Sequence, residues 1–315
     1  MKRWIVLLLC GVIGVSMLHW EGNVEAASEL GPVIGSPQLA VLVDGRKVKF
    51  QGGDPVMENN RVQVPLRGIG EALGAKVDFS DKTVTYLKDE KSIVLTLGSK
   101  VAVVDGQNVT MDTAAKAVKG RTYVPLRFVS ENLGESVSWD QVGGWVWIGE
   151  KKIPSTDDEQ YKLTPISEFR EYTQSDLFFK NIRGKDYTHI KIIKSSDLPI
   201  QLADSQIVYS IDLVKRRRED FIRIRSNHRG NPITFLVKNS FARGRHGIDN
   251  AFTNNGDNTG MNFYPVVSSL DKFQNSVYIE NYEGWTSFTI KQADYILLED
   301  GDLYDYAVAI ENPFK

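Results

Sequence analysis

Cysteine is almost missing from this chain. Its 315 residues include one cysteine, Cys10, and four histidines. Cys10 lies in an apolar run near the N-terminus, so a chain that loses that run has no thiol. Disulfides, thiolate zinc sites and cysteine nucleophiles are then excluded together. Stability must come from burial instead. An excess of one charge is also lacking. Lys and Arg total 38 against 40 Asp and Glu, for a formal net charge of -2. That balance points to neither nucleic acid nor an anionic membrane as partner. The 42% apolar and 25% charged content is that of a globular protein. The length leaves room for two domains.

The N-terminus reads as a targeting segment. Lys2 and Arg3 precede an apolar run over residues 4–18, and Val24-Glu25-Ala26 offers small residues where a signal peptidase cuts. The expectation is a signal peptide over 1–26 and an extracellular protein, secreted or associated with the cell wall. The run is short for a bilayer span, which takes about 20 apolar residues. Membrane attachment would come only through an uncleaved leader. Leu8-Leu9-Cys10-Gly11 lacks the small residue that precedes a lipidated cysteine.

What is present is a sentence written twice. Arg61-Val-Gln-Val-Pro65-Leu-Arg67-Gly-Ile-Gly-Glu71-Ala-Leu-Gly74 returns 60 residues later as Arg121-Thr-Tyr-Val-Pro125-Leu-Arg127-Phe-Val-Ser-Glu131-Asn-Leu-Gly134. Asp44-Gly45 and Asp105-Gly106 precede the copies and predict hairpin turns. Each copy then predicts a strand and a short helix beginning at Pro65 or Pro125, where the missing N–H costs nothing. Leu66, Ile69 and Leu73 share a helical face, as do Leu126, Val129 and Leu133. Gly74 and Gly134 end the helices. Helices this short are marginal alone and must dock on a sheet. The fold class expected for residues 37–152 is therefore a small tandem-motif α+β domain. Arg67/Glu71 and Arg127/Glu131 recur at i,i+4, and read as structural ion pairs on a solvated face rather than as ligand groups.

The pattern Asn-Gly-Arg-x-x-Val-Pro-Leu-Arg-x-x-x-Glu-x-Leu-Gly-x-x-Val-x-Trp resembles the copper amine oxidase N-terminal-like domain, also called a stalk domain, over residues 40–149. Copy two departs at Lys119; copy one departs at Asn60 and at Phe79, which replaces the tryptophan. The resemblance implies a secreted or wall-associated protein of the Gram-positive, spore-forming type. The family's domain is an accessory one, without copper or catalytic residues. The oxidase itself does not follow. Asn281-Tyr282-Glu283 resembles the quinone-forming motif, but Tyr278 stands where that motif has threonine. Beyond the leader the histidines are His189, His228 and His246, with no His-x-His pair for copper.

Residues 153–160 are polar and Pro-bearing and read as a linker. Residues 161–315 alternate apolar and polar in many short runs and predict an antiparallel β-sandwich or jelly roll. A short helix is expected over 166–172 and strands over 276–282 and 287–291, among others. No family resemblance appears in this half. Four constellations stand out. Lys215, Arg216, Arg217 and Arg218 with Arg223 and Arg225 form a basic run that could bind an anionic polymer, tempered by Glu219 and Asp220. The irregular stretch 241–260 carries Asp249 and Asp257 as candidate calcium ligands, without EF-hand spacing. Glu299, Asp300, Asp302 and Asp305 resemble a calcium loop in composition and read more simply as a hairpin turn. Tyr278, Tyr282, Trp285, Phe288 and Tyr295 offer aromatic faces, of which Tyr282 and Trp285 are candidate sugar platforms. No catalytic residue and no cofactor beyond calcium is expected. The resulting expectation is a non-catalytic envelope protein: a stalk or adhesive module plus a binding module for a wall polymer, a polysaccharide or an envelope protein. The alternative is a secreted glycan hydrolase whose carboxylates lie among the C-terminal strands.

Overall fold

Left-handed residues open each copy of the repeat. Asp44 and Gly45 have φ of 47° and 80°, and Asp105 and Gly106 have 49° and 80°. Two consecutive positive φ values make the turn whose twist suits a tight hairpin. The computed structural model describes residues 38–51, 53–172, 179–180, 184, 186–202, 205–228, 231–248, 258–274, 277–278, 283–298 and 306–315. The leader and the candidates Asp249, Asp257, Tyr282, Glu299, Asp300, Asp302 and Asp305 lie outside the described residues. The described chain is mostly strand with short helices.

The repeat domain runs β1 (Ala40–Val43), β2 (Arg46–Lys47), β3 (Val56–Glu58), β4 (Arg61–Pro65), α1 (Leu66–Ala72), β5 (Lys76–Ser80), β6 (Thr83–Lys88), β7 (Lys91–Thr96), β8 (Val101–Val104), β9 (Gln107–Thr110), β10 (Lys116–Val118), β11 (Arg121–Pro125), α2 (Leu126–Asn132), β12 (Val137–Asp140) and β13 (Trp145–Ile148). Each helix starts one residue after its proline, which serves as the N-cap. Gly74 and Gly134 follow the helices at φ of 71° and 95°. Strands β4 and β11 pair antiparallel with Val64 opposite Val124, Pro65 opposite Tyr123 and Gln63 opposite Pro125. Val64 and Val124 are equivalent positions of the two copies, so a local two-fold axis passes between them. The sheet β10-β11-β4-β3 straddles that axis. On either side lie the sheets β5-β6-β7-β8-β9 and β12-β13-β1-β2. They correspond strand for strand apart from β7, the chain segment linking the copies. Where β7 intervenes between β6 and β8, β13 instead pairs directly and in parallel with β1. One core, including Leu66, Ile69, Val84, Leu126, Val129 and Val146, is shared by both copies.

The second domain continues with β14 (Leu163–Pro165), β15 (His189–Ile193), β16 (Ile200–Gln201), β17 (Ile207–Arg216), β18 (Glu219–Ser226), β19 (Ile233–Leu236), β20 (Arg243–Arg245), β21 (Gly260–Pro265), β22 (Phe273–Gln274), β23 (Val277–Tyr278), β24 (Tyr295–Leu298) and β25 (Tyr306–Glu311). Sheets β14-β15-β25-β24-β19-β20 and β16-β17-β18-β21 share a core that includes Ile211, Ile222, Phe235 and Ile296. The six-stranded sheet buries its other face too, against Phe169, Tyr172 and Phe179.

Four expectations need correcting. The sheet is not wholly antiparallel, because β15 and β25 run parallel. The expected helix over 166–172 is a 3₁₀ segment. The expected strand over 287–291 is instead the 3₁₀ turns Glu283–Ser287 and Ile290–Gln292. Phe288 and Ile290 are both buried. Their alternation records two anchors pressed into the core, not a ladder, and Gln292 closes the second turn by accepting from Thr289 N at 2.8 Å. The stretch expected to be irregular also contains β20, which pairs with β19.

The segment 153–160 is docked rather than free. Ile153 packs on Leu42, Trp145 and Trp147. Ser155 bridges to Gln201, and the Lys191 ammonium donates to Thr156 O at 2.6 Å. Arg46 reaches Asp158 at 3.5 Å. The sheet containing β1 and β13 is therefore covered on both faces, which is why all four residues of β13 are buried. Val146 and Ile148 enter the repeat core, while Trp145 and Trp147 meet Tyr209 of the second domain. The equivalent positions in copy one are Thr83 and Thr85.

Position 70 within α1 tests how tightly copy one is packed. A Cβ on Gly70 would sit 2.1 Å from Val77 Cγ2 and 2.9 Å from Tyr86 Cε1. Gly70→Ala is expected to destabilise the chain by about 1–3 kcal/mol through overpacking, measured by chemical denaturation. Its counterpart Ser130 is buried, and its hydroxyl has no hydrogen-bond partner. Ser130→Ala is expected to raise stability by about 1 kcal/mol in the same assay, since it removes a desolvated hydroxyl.

Candidate functional site

An open groove of about 710 Å³ runs along the repeat domain where the two copies cross. Copy one supplies Met57 of β3, Asn60 in the following turn, and Arg61 and Val62 of β4. Copy two supplies the segment 110–113, the start of α2 and strand β12. Gln63 fixes the crossing by donating from Nε2 to Thr113 Oγ1 at 3.3 Å and to Ala114 O at 3.2 Å. Arg61 and Asp112 meet at 2.9 Å, and Arg127 and Glu131 at 3.9 Å on the exposed face of α2. The cations and carboxylates lining the groove therefore cancel in number.

Trp139 stands in the groove wall. It lies opposite Val146 on the core-facing side of its sheet, but β12 is the edge strand and the ring stays 38% exposed. Its indole N–H donates to Gln141 Oε1 at 2.9 Å. In copy one the equivalent Phe79 lies opposite Val84 and is 44% exposed. Only Trp139 of the two lines the groove.

The next residue, Asp140, points to the other face of the sheet and into the second domain. Its Oδ2 accepts from Arg225 Nη1 at 2.6 Å and its Oδ1 from Arg225 Nη2 at 3.2 Å. Oδ1 also accepts from the backbone N–H of Val142 and of Gly143, each at 3.0 Å. Burial alone would raise the Asp140 carboxyl. The Arg225 hydrogen bonds, the two N–H groups and the Arg225 charge outweigh it and hold the carboxyl below its ordinary value. Arg225 is 2% exposed. Its guanidinium also lies 4.9 Å from the Tyr209 ring centroid and 5.8 Å from that of Trp145. A seam cavity of about 170 Å³ lies alongside, lined in part by Lys47, Gly143, Asp212 and Arg223. Burial lowers the Lys47 ammonium pKa there, and the Asp212 carboxylate partly offsets that.

The basic run is split by strand alternation. Arg217 and Arg218 form the tip of the β17–β18 hairpin, with φ of 48° and 72°. Lys215 is paired with Asp220. Arg216 is buried over the Phe263 ring at 4.7 Å. Arg223 is buried against Asp212 at 3.0 Å, and Arg225 belongs to the seam. The six do not make one exposed face. Among the aromatics, Phe288 is core, stacked on Phe235 at 5.9 Å, and Tyr295 packs edge-on to Phe169 and Tyr172. Trp285 is partly exposed, with Lys272 Nζ 5.3 Å from its ring centroid. A buried triad the sequence did not disclose sits deeper. Asp271 takes Arg243 and Arg245, each at 2.7 Å, and both guanidiniums lie over the Phe288 ring. His189, His228 and His246 lie on separate segments. Among the described residues, no three His, Cys, Asp or Glu side chains group as a metal site would.

Sequence reasoning missed Trp139 as a surface residue and the Asp140–Arg225 pair entirely. A signal was available. At the docking face copy two has Asp140, Trp145 and Trp147 where copy one has Ser80, Thr83 and Thr85. An apolar gain at outward positions of one copy marks the copy that is covered.

Because the folded Asp140 carboxyl is depressed, its contribution to stability is complete above the ordinary carboxylate pKa of about 4. It is lost as pH falls through the lower folded value. Asp140→Asn is expected to flatten the acid limb of stability against pH, followed by denaturation across the acid range. Arg225→Ala leaves the part-buried Asp140 carboxylate with only its two backbone N–H partners and is expected to cost about 2–3 kcal/mol at neutral pH.

No curated protein matches the chain. Residues 42–148, the repeat-bearing third of the chain, match the family model of the copper amine oxidase N-terminal domain.

Proposed function

We propose that this chain is a secreted, non-catalytic envelope protein whose repeat and β-rich domains form one stiff binding unit. Its ligand is a wall polymer, a polysaccharide or an envelope protein. The observation that carries the reading is the open groove with the exposed Trp139 in its wall. The docked 153–160 segment and the Asp140–Arg225 pair support the stiffness. A stalk that is bolted to its neighbour presents a surface at a fixed distance and angle, which a tethered module does not.

The test is co-sedimentation of the leader-free chain with insoluble cell wall. Retention is expected. It should change by no more than about two-fold between low and high salt, because the charges lining the groove are already paired and such pairs are weak drivers. A chain that stays in the supernatant while soluble sugar fragments accumulate would replace this reading with that of a glycan hydrolase.

A further inference from the structure

We propose that the groove beside Trp139 binds a chain of neutral pyranose sugars, with the indole as stacking platform. The inference rests on the envelope-binding reading but can fail separately from it.

The argument starts from the chemistry of the lining. A pyranose has an apolar face of C–H groups and an equatorial rim of hydroxyls. The C–H face suits the negative face of an aromatic ring. Each hydroxyl both donates and accepts, so it is best met by a donor and an acceptor side by side. Arg61 with Asp112 and Arg127 with Glu131 offer two such pairings on the groove wall. Their charges cancel, so the groove has no electrostatic preference for an anionic polymer such as a polyphosphate. A proline-rich peptide also suits aromatic grooves. Proline lacks an N–H, however, so a polyproline chain can accept from Arg61 and Arg127 but has nothing to donate to Asp112 or Glu131. The sugar uses both halves of each pair.

Preorganisation supports the same ligand. The indole N–H is held by Gln141 at 2.9 Å. Gln141 follows directly on Asp140, which is anchored across the seam to Arg225 and to its own turn. The backbone that carries the indole is anchored before the ligand arrives, which lowers the entropic cost of binding.

The experiment is calorimetric titration of the leader-free chain with the tetrasaccharide of N-acetylglucosamine, a neutral pyranose oligomer, and separately with a polyproline peptide. The tetrasaccharide is expected to bind and the peptide is not. Trp139→Ala should weaken binding by about ten-fold, the scale of one aromatic contact. Trp139→Phe should restore most of it, and Phe79→Ala in copy one should leave it unchanged. Unfolding curves confirm that each variant is folded. Should Trp139→Ala not fold, oxidation of the wild-type indole by N-bromosuccinimide is read by peptide mass spectrometry, and the tetrasaccharide should protect Trp139. The proposal is overturned by absence of tetrasaccharide binding, by equal affinity of Trp139→Ala, by binding of the peptide alone, or by an unprotected Trp139. Wall retention that survives Trp139→Ala alongside no tetrasaccharide binding sinks the groove assignment only. Tetrasaccharide binding without wall retention sinks the envelope reading only.

Discussion

The Asp140–Arg225 ion pair is the contact on which the arrangement of the two domains turns. Burying a guanidinium and a carboxylate is costly unless every hydrogen-bonding group is met. Here the guanidinium has two bonds to Asp140, one from Nε to Thr259 Oγ1 at 3.1 Å, and aromatic faces beside it. The carboxylate has two backbone N–H groups besides. The pair is bidentate and closely surrounded: a Cβ on Gly143 would lie 2.5 Å from Arg225 Nη1. A contact this directional sets orientation as well as adhesion. The apolar patch of Leu42, Trp145, Trp147 and Tyr209 supplies the less directional part of the seam.

The repeat domain obeys a different constraint. Its two copies are not beads on a string but halves of one core, related by the axis between Val64 and Val124. A seven-residue helix has no stability of its own. It persists because its apolar face is roofed by strands of both copies. Symmetry then allows divergence on the outer faces, which the shared core does not constrain. Copy two used that freedom to place tryptophans where copy one keeps threonines, and the second domain docks there.

The β12–β13 hairpin joins the two themes. Successive residues of a strand point to opposite faces, so Trp139 faces the groove while Asp140 faces the seam. The platform and the anchor are neighbours in sequence and on opposite sides of one sheet. The groove is therefore held by the same element that fixes the second domain, and the indole inherits the stiffness of the interface.

Much of the repeat domain was legible in the chain itself. The Asp-Gly turns, the glycines that end the helices and the i, i+3, i+7 faces are local chemistry, and local chemistry acts through neighbours along the chain. The period-two alternation of the second half likewise announced a strand-rich domain, and β15, β19 and β24 lie in such runs. What the sequence could not decide was the identity of each strand's covering surface. Phe288 and Ile290 alternate like a strand, yet they are anchors of a turn, because alternation reports burial and not hydrogen bonding. Arg223 and Arg225 read as part of a basic surface, yet their carboxylate partners are Asp212, 11 residues away, and Asp140, 85 residues away. Residues 153–160 read as a tether because they are polar, and are held because Thr156, Asp157 and Asp158 meet Lys191, Tyr306 and Arg46. The sequence alone determined the repeat, its turns and its helices. Tertiary structure alone decided which charges are buried, which aromatics are exposed and where a ligand can reach, because those depend on surfaces that meet only when distant segments pack.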